Sequence, residues 1–346
     1  MKAVLIERPG TMAMVDIDMP RPAPGEVAVR IAYIGYCGSD LNSYRGTNPL
    51  VSYPRVPGHE ISGVIVETGQ NVPPTLEPGQ RVTILPYFNC GSCNACRMNR
   101  PNACKHNKTL GVQREGALTE LVCVPYGKVV AVNGLETRAL TLIEPLAVGF
   151  HAARRAEIVP EERVVVLGCG VIGLGAILGA LSMGAHVIAV DLSRSKLDRA
   201  VRLGAHATID AAQECVDRAL QDMIGEDGPE VVIEAVGAEE TFRQAVDIVA
   251  SCGRVIYVGY AKNPVLYETR LFVMKEINIR GSRGALLSDF HDVIEYLKRN
   301  PAASDVIISR VVGLEDACSA MAEWSADPGA LTKILVQLSE DVDERA

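Results

Sequence analysis

The sequence predicts an α/β protein in two parts, an all-β region followed by a doubly wound parallel sheet. Three observations predict it. Residues 1–150 carry short β-like runs broken by Gly and Pro, among them VAVRIAYIG, ISGVIVETG, RVTILPY and LTELVCV, the text of a barrel-like region with long loops. From about residue 160 strand-like runs alternate with helical stretches, which implies parallel pairing. Where the text changes, a strand runs into a Gly-x-Gly-x-x-Gly that opens a helix.

In chain order the second part reads VVVLG, the helix VIGLGAILGALSMG, HVIAVD, a further helix and ATID. VVIEAVG, RVIYVGY and INIRGS follow, with helical segments between most of them. After about residue 287 come an amphipathic helix, DFHDVIEYLKRN, a strand-like VIISRVVG, the helix EDACSAMAEWSA and a last strand, KILVQL. Pattern alone leaves open whether these extend the sheet or return to the first part. The expected division is 1–150, 151–286 and 287–346. The acidic end EDVDERA reads as a frayed terminus.

Composition narrows the function. With 346 residues, the chain can bury a large core without disulfide staples. A net charge of −8 with both signs interspersed, and no basic stripe, argues against a nucleic-acid partner. The apolar runs are too short and interrupted to span a bilayer. The start MKAVLIERPG lacks the apolar core and cleavage site of a signal peptide. The expected compartment is therefore the cytoplasm, where clustered cysteines point to metal and not to disulfides.

The glycine motif is Gly168-Cys-Gly170-Val171-Ile172-Gly173. The first glycine permits the tight turn, the second admits a pyrophosphate, and the third lets helix and strand pack. Phosphates would rest on the helix N-terminus. Asp191, ending the next strand, suits both ribose hydroxyls and repels a 2′-phosphate, so NAD is expected over NADP. Arg194 lies close enough in sequence to meet a 2′-phosphate instead. A tight βα turn without ligand is the bland alternative.

Four cysteines, Cys90, Cys93, Cys96 and Cys104, fall in one short loop. Four thiolates close a tetrahedron and leave no open position, so the expected metal is structural zinc, with an iron–sulfur cluster as the rival. Arg97 and Lys105 lie nearby to soften the charge.

A second metal centre is expected from three scattered elements: Cys37-Gly-Ser39-Asp40, Gly58-His59-Glu60, and Glu144-Pro145-Leu146. A Cys, His and Glu set suits zinc with one position left for water or substrate. Each element alone has an ordinary reading: a buried thiol, a surface pair, a turn, or an acid and proline opening a helix.

The ordered series Cys-Gly-Ser-Asp, Gly-His-Glu-x-x-Gly with Gly69 and Val72, the four-cysteine loop, Glu-Pro-Leu, and Gly-x-Gly-x-x-Gly with Asp resembles the zinc-containing medium-chain alcohol dehydrogenases over essentially the whole chain. The resemblance implies a GroES-like barrel as catalytic domain, a Rossmann coenzyme domain, a C-terminal segment folding back onto the barrel, and a homodimer or homotetramer. It implies two zinc ions per chain. Cys37, His59 and a carboxylate, Glu60 or Glu144, would hold the catalytic one, and either carboxylate remains open as the ligand. It implies a relay role for Ser39, a supporting role for Asp40 behind the histidine, and hydride transfer from an alcohol carbon to the nicotinamide.

Glu144-Pro145 resembles the sorbitol, threonine and galactitol-phosphate dehydrogenase branch. The text Ser52-Tyr-Pro-Arg-Val, Leu-Gly-Val at 110–112 and Gly281-Ser-Arg283 is similar to the L-galactonate/L-gulonate 5-dehydrogenase and starvation-sensing group. That implies a secondary hydroxyl of a sugar acid or polyol as the target, with neutral polyols or L-threonine as runners-up. A carboxylate substrate calls for a guanidinium fork, and Arg283, Arg114 and Arg45 are the candidates. A non-catalytic zinc- and nucleotide-binding protein is the alternative of another class.

Overall fold

The computed structural model describes residues 1–329 and 331–339; the expectation for the acidic end falls outside them. The chain forms two compact units. One is Met1–Glu144 joined by the chain from Ile294 onward, and the other is Pro145–Val293.

The first unit is built on one curved, mostly antiparallel sheet. Its spine is the strand Glu26–Gly35, which pairs antiparallel with Glu60–Thr68 along its length. The sheet runs in the order Arg310–Gly313, Ile334–Gln337, Glu26–Gly35, Glu60–Thr68, Arg81–Ile84 and Val129–Ala131, with Leu121–Pro125 also on the spine. Alternation along these strands turns Val27, Val29, Ile31, Ile61, Ile65, Val82 and Ile84 into one core. Register shifts near Ala28 and Ile31 mark bulges that bend the spine. Ile334–Gln337 pairs antiparallel with the upper end of the spine, Leu335 lying opposite Gly35. The last strand is therefore a barrel strand.

Two stretches differ from the sequence reading. Gly-Ser-Asp after Cys37 is turn-like text, yet Gly38–Tyr44 is a helix with Cys37 at its N-cap. The Asp40 side chain accepts the Cys37 N–H at 3.0 Å and so satisfies a donor at that terminus. VIISRVVG reads as one strand, but Val306 and Ile307 end the short helix Ala303–Ile307, and the strand starts only at Arg310. Ala303, Val306 and Ile307 are buried together at helical spacing, which outweighs their β propensity.

The second unit is the doubly wound sheet. Six parallel strands lie in the order Ala207–Asp210, His186–Asp191, Arg163–Leu167, Val231–Glu234, Arg254–Tyr257 and Asn278–Gly281. The order reverses between Arg163–Leu167 and Val231–Glu234, the switch point where such sheets take ligands. The helix Val171–Ser182 is buried on nearly every side from Gly173 to Ala180, as expected of helix text that is apolar all round. Among the described residues no helix is long and apolar enough to cross a membrane.

Candidate active site and metal centres

At the switch point the backbone supports the sequence-based roles of the glycines. Gly168 has φ +95°, a left-handed conformation that side chains resist. A Cβ on Gly173 would stand 1.8 Å from the Gly168 carbonyl oxygen, so the helix can lie this close only without one. Gly170 caps the helix, and a Cβ there would meet nothing within 4 Å, leaving its outer side clear for a phosphate. Val171 and Ile172 open the helix. The Asp191 carboxylate accepts the Cys169 N–H at 2.7 Å and the Ser193 N–H at 2.9 Å. Each oxygen keeps a second lone pair for a ribose hydroxyl. Arg194 donates to Asp198 on its own helix and is exposed.

The four-cysteine loop is built as a metal cage. Sulfur separations are 3.6 Å for Cys93 and Cys96, 3.7 Å for Cys93 and Cys104, and 3.5 Å for Cys90 and Cys104. A tetrahedron of Zn–S bonds near 2.3 Å requires about 3.8 Å between sulfurs. None of the four is joined in a disulfide. Backbone N–H groups of Ser92 and Cys93 lower the Cys90 thiol to about 5, favouring the thiolate that binds metal. Arg97 is turned to the Ser92 carbonyl.

The scattered residues of the second centre converge in the barrel unit. Cys37 follows the spine, and His59 and Glu60 enter the neighbouring strand. Their ligand atoms lie within 4.8 Å of one another. Glu144 sits in the first turn of the helix Ile143–Ala156, buried, and accepts a hydrogen bond from the Tyr87 hydroxyl. Asp40 is fully buried and joins the two ligand loops, accepting the N–H of Cys37 and, at 3.3 Å, that of Gly58. Its oxygen lies 3.8 Å from His59 Nδ1, so its main hold on the histidine runs through the Gly58 backbone.

These residues suit a divalent cation. His59 Nδ1 and Ser39 Oγ are buried and have no hydrogen-bond partner among the described residues. Burial alone would lower the His59 pKa, but the charges of Asp40, Cys37 and Glu144 outweigh it and raise the value well above normal. Burial raises Glu60 to about 7, against the opposing pull of Lys333, with Glu144 adding to the rise. A buried pocket that draws protons this strongly is a pocket that favours a metal cation.

Two residues escaped the sequence reading. Tyr87 ends the β-like run RVTILPY and lies in the short strand Tyr87–Phe88, where nothing in the local text marks it as a site residue. Lys333 heads the buried strand KILVQL, is 1% exposed, and donates from Nζ to Glu60 Oε1 at 2.6 Å, Glu60 Oε2 at 2.5 Å and the Tyr36 carbonyl at 2.8 Å. A lysine at the head of a buried strand was itself a signal, since lysine is almost never buried unpaired.

The arginine candidates diverge. Arg45 donates to the Ser325 hydroxyl at 3.0 Å and to the Ser325 carbonyl. Arg114 places its guanidinium 4.1 Å from the ring centre of Phe88, next to Tyr87 in sequence, and has no carboxylate partner among the described residues. Arg283 lies in the sheet unit, just beyond the strand Asn278–Gly281.

Comparison with known proteins agrees with this geometry. Residues 23–134 match the alcohol dehydrogenase GroES-like domain and residues 171–299 the zinc-binding dehydrogenase domain. The chain is 33% identical to the L-galactonate-5-dehydrogenase of Escherichia coli K12, over 89% of this chain and 91% of that one. The rspB dehydrogenase of E. coli CFT073, solved with NADH, superposes with a TM-score of 0.90 at 27% identity, covering 97% of this chain and 99% of that one. A zinc-binding dehydrogenase of Sinorhizobium meliloti 1021, solved with NADP, gives 0.89 at 29% identity over 97% and 99%.

The chain belongs to the zinc-containing medium-chain alcohol dehydrogenase family. It is a zinc-dependent alcohol or polyol dehydrogenase using a nicotinamide cofactor.

Proposed function

We propose that this enzyme oxidises a secondary hydroxyl of a sugar acid or polyol to the ketone with NAD, a hexonate such as L-gulonate or L-galactonate being the best-supported substrate. The observation that carries the reading is the convergence of Cys37, His59 and Glu60 in one buried cluster, with Glu144 held beside it by Tyr87. The 33% identity to an L-galactonate-5-dehydrogenase supports the substrate class.

Cys37 and His59 hold the catalytic zinc, with a carboxylate from Glu60 or Glu144; Cys90, Cys93, Cys96 and Cys104 hold a second, structural zinc. Bound zinc supplies a Lewis acid that lowers the pKa of the substrate hydroxyl. NAD, when bound, would supply the hydride acceptor, and the Asp191 carboxylate, at the end of its strand, would favour it over NADP. The Ser39 hydroxyl, buried and free of other partners among the described residues, takes the substrate proton toward solvent. Asp40 keeps the Cys37 and His59 loops at fixed separation.

Arg114 is the favoured contact for a substrate carboxylate within the barrel unit, because Arg45 is committed to Ser325 and Arg114 has no acid partner among the described residues. Arg283 is tested beside it. The exposed Tyr260, Leu266, Val273 and Met274 of the sheet unit support self-association as a dimer or tetramer, measurable by light scattering.

The test is NADH formation against hexonates, neutral polyols and L-threonine, with NAD and NADP in parallel. Turnover of a hexonate that falls at least tenfold on Arg114→Ala or Arg283→Ala supports the reading. Preference for a neutral polyol or for threonine replaces the substrate class, and no turnover by zinc-loaded protein counts against it.

A further inference from the structure

Two turns flank the switch point, one after Leu167 and one after Glu234, and these two residues lie opposite each other in the parallel register. The turns are built differently. Gly170 brings no side chain to the start of the helix Val171–Ser182, so its first N–H groups stay open to a phosphate. At the second turn the chain supplies its own anion. Glu234 is fully buried, and its Oε1 accepts the Val236 N–H at 2.8 Å, the Gly237 N–H at 2.7 Å and the Thr241 hydroxyl at 2.8 Å. Gly237 has φ +85°, and the two successive N–H groups converge on one oxygen as in an anion-binding nest. Thr241 lies in the first turn of the helix Glu239–Ile248, so the carboxylate also meets the positive end of that helix.

The second oxygen, Oε2, is buried and has no hydrogen-bond partner among the described residues. A Cβ on Gly259 would stand 2.5 Å from it, so that glycine leaves the room the carboxylate fills. One oxygen therefore makes every bond of the side chain, all of them to the turn and the helix start. The turn so held packs on the glycine motif. The Ala235 N–H donates to the Leu167 carbonyl at 2.9 Å, and a Cβ on Gly168 would lie 2.7 Å from Val236 Cγ2. Val236 is still 52% exposed, so it also presents a face at the carboxyl edge of the sheet.

We infer that Glu234 is a positioning residue for the coenzyme: its carboxylate fills the second anion nest and fixes Val236 and Gly237 as a wall of the crevice beside the glycine turn. The acid touches neither substrate nor coenzyme and acts through the turn. With the second nest occupied from within, the start of the helix Val171–Ser182 is left as the place for the pyrophosphate. Without the acid, the buried N–H groups of Val236 and Gly237 lose their acceptor and the wall loosens. The inference rests on the switch point as the coenzyme site.

The test measures NADH affinity by fluorescence titration and hydrogen exchange at the Val236 and Gly237 amides. Glu234→Ala should weaken NADH binding about tenfold, the scale of leaving a buried donor unpaired, and speed exchange at both amides. Glu234→Gln keeps an acceptor for the three donors and should stay within about threefold of wild type. Formate, a carboxylate small enough for the vacated space, should restore affinity to Glu234→Ala, and chloride should not. If Glu234→Ala does not fold, Thr241→Val decides: it removes one donor, leaves the acid, and should weaken binding by about threefold. Wild-type NADH affinity in the folded variant, or a loss that formate does not recover, overturns the inference while leaving the coenzyme crevice intact. A wild type that binds no NADH overturns both.

Discussion

The backbone N–H of Cys169 donates to the carboxylate of Asp191 at 2.7 Å, tying the first glycine turn to the end of the next strand. One side chain thus braces the glycine turn, and in the proposed function it also offers acceptors to the ribose. Asp191→Ala should lower kcat/KM for NAD at least tenfold and narrow the gap to NADP, because the acid that repels a 2′-phosphate is gone. Initial rates with both cofactors measure it. An unchanged ratio would mean that Asp191 serves the loop alone.

The cysteine cage predicts separable metals. Cys104→Ser should remove one zinc per chain and lower Tm, because the thiolates otherwise repel one another on an unbraced loop. Metal analysis with calorimetry reads both. Loss of two zinc ions from this single change would refute independent sites.

Tyr87 holds Glu144 through a buried charge-assisted hydrogen bond. Removing the phenol hydrogen leaves a buried carboxylate oxygen short of a donor, a cost of about 1.5–3 kcal/mol. Tyr87→Phe should therefore cut kcat/KM roughly tenfold or more with little change in circular dichroism. Wild-type kinetics would show that Glu144 needs no such support.

Asp289 supplies a pH signature within the sheet unit. Burial would raise its pKa, but His151 Nδ1 at 2.9 Å, the Leu286 N–H at 2.7 Å and Arg154 at 2.8 Å outweigh that and hold it below the usual carboxylate value. A depressed folded pKa contributes stability that is complete above the unfolded value and is lost as pH falls through the folded one. Asp289→Asn should thus be less stable than wild type at pH 7, with the gap closing below about pH 4. Urea titrations at several pH values test this, and a gap independent of pH would assign the loss to packing alone.

What the sequence by itself determined is the chemistry carried by local pattern. The glycine motif, its strand and Asp191 announce themselves because a βα turn is a contiguous object with fixed spacing. The four cysteines do so because one loop must close around one metal. Family resemblance supplied the candidate ligands Cys37, His59 and either Glu60 or Glu144, which spacing alone left ambiguous. The tertiary structure decided what depends on strand pairing between distant segments. VIISRVVG divides into helix and strand because burial of Ala303, Val306 and Ile307 overrides propensity. Lys333 meets Glu60 only because Ile334–Gln337 pairs with the spine beside Gly35. No periodicity marks such a meeting, since register between strands some three hundred residues apart is set by the shared core and not by either segment.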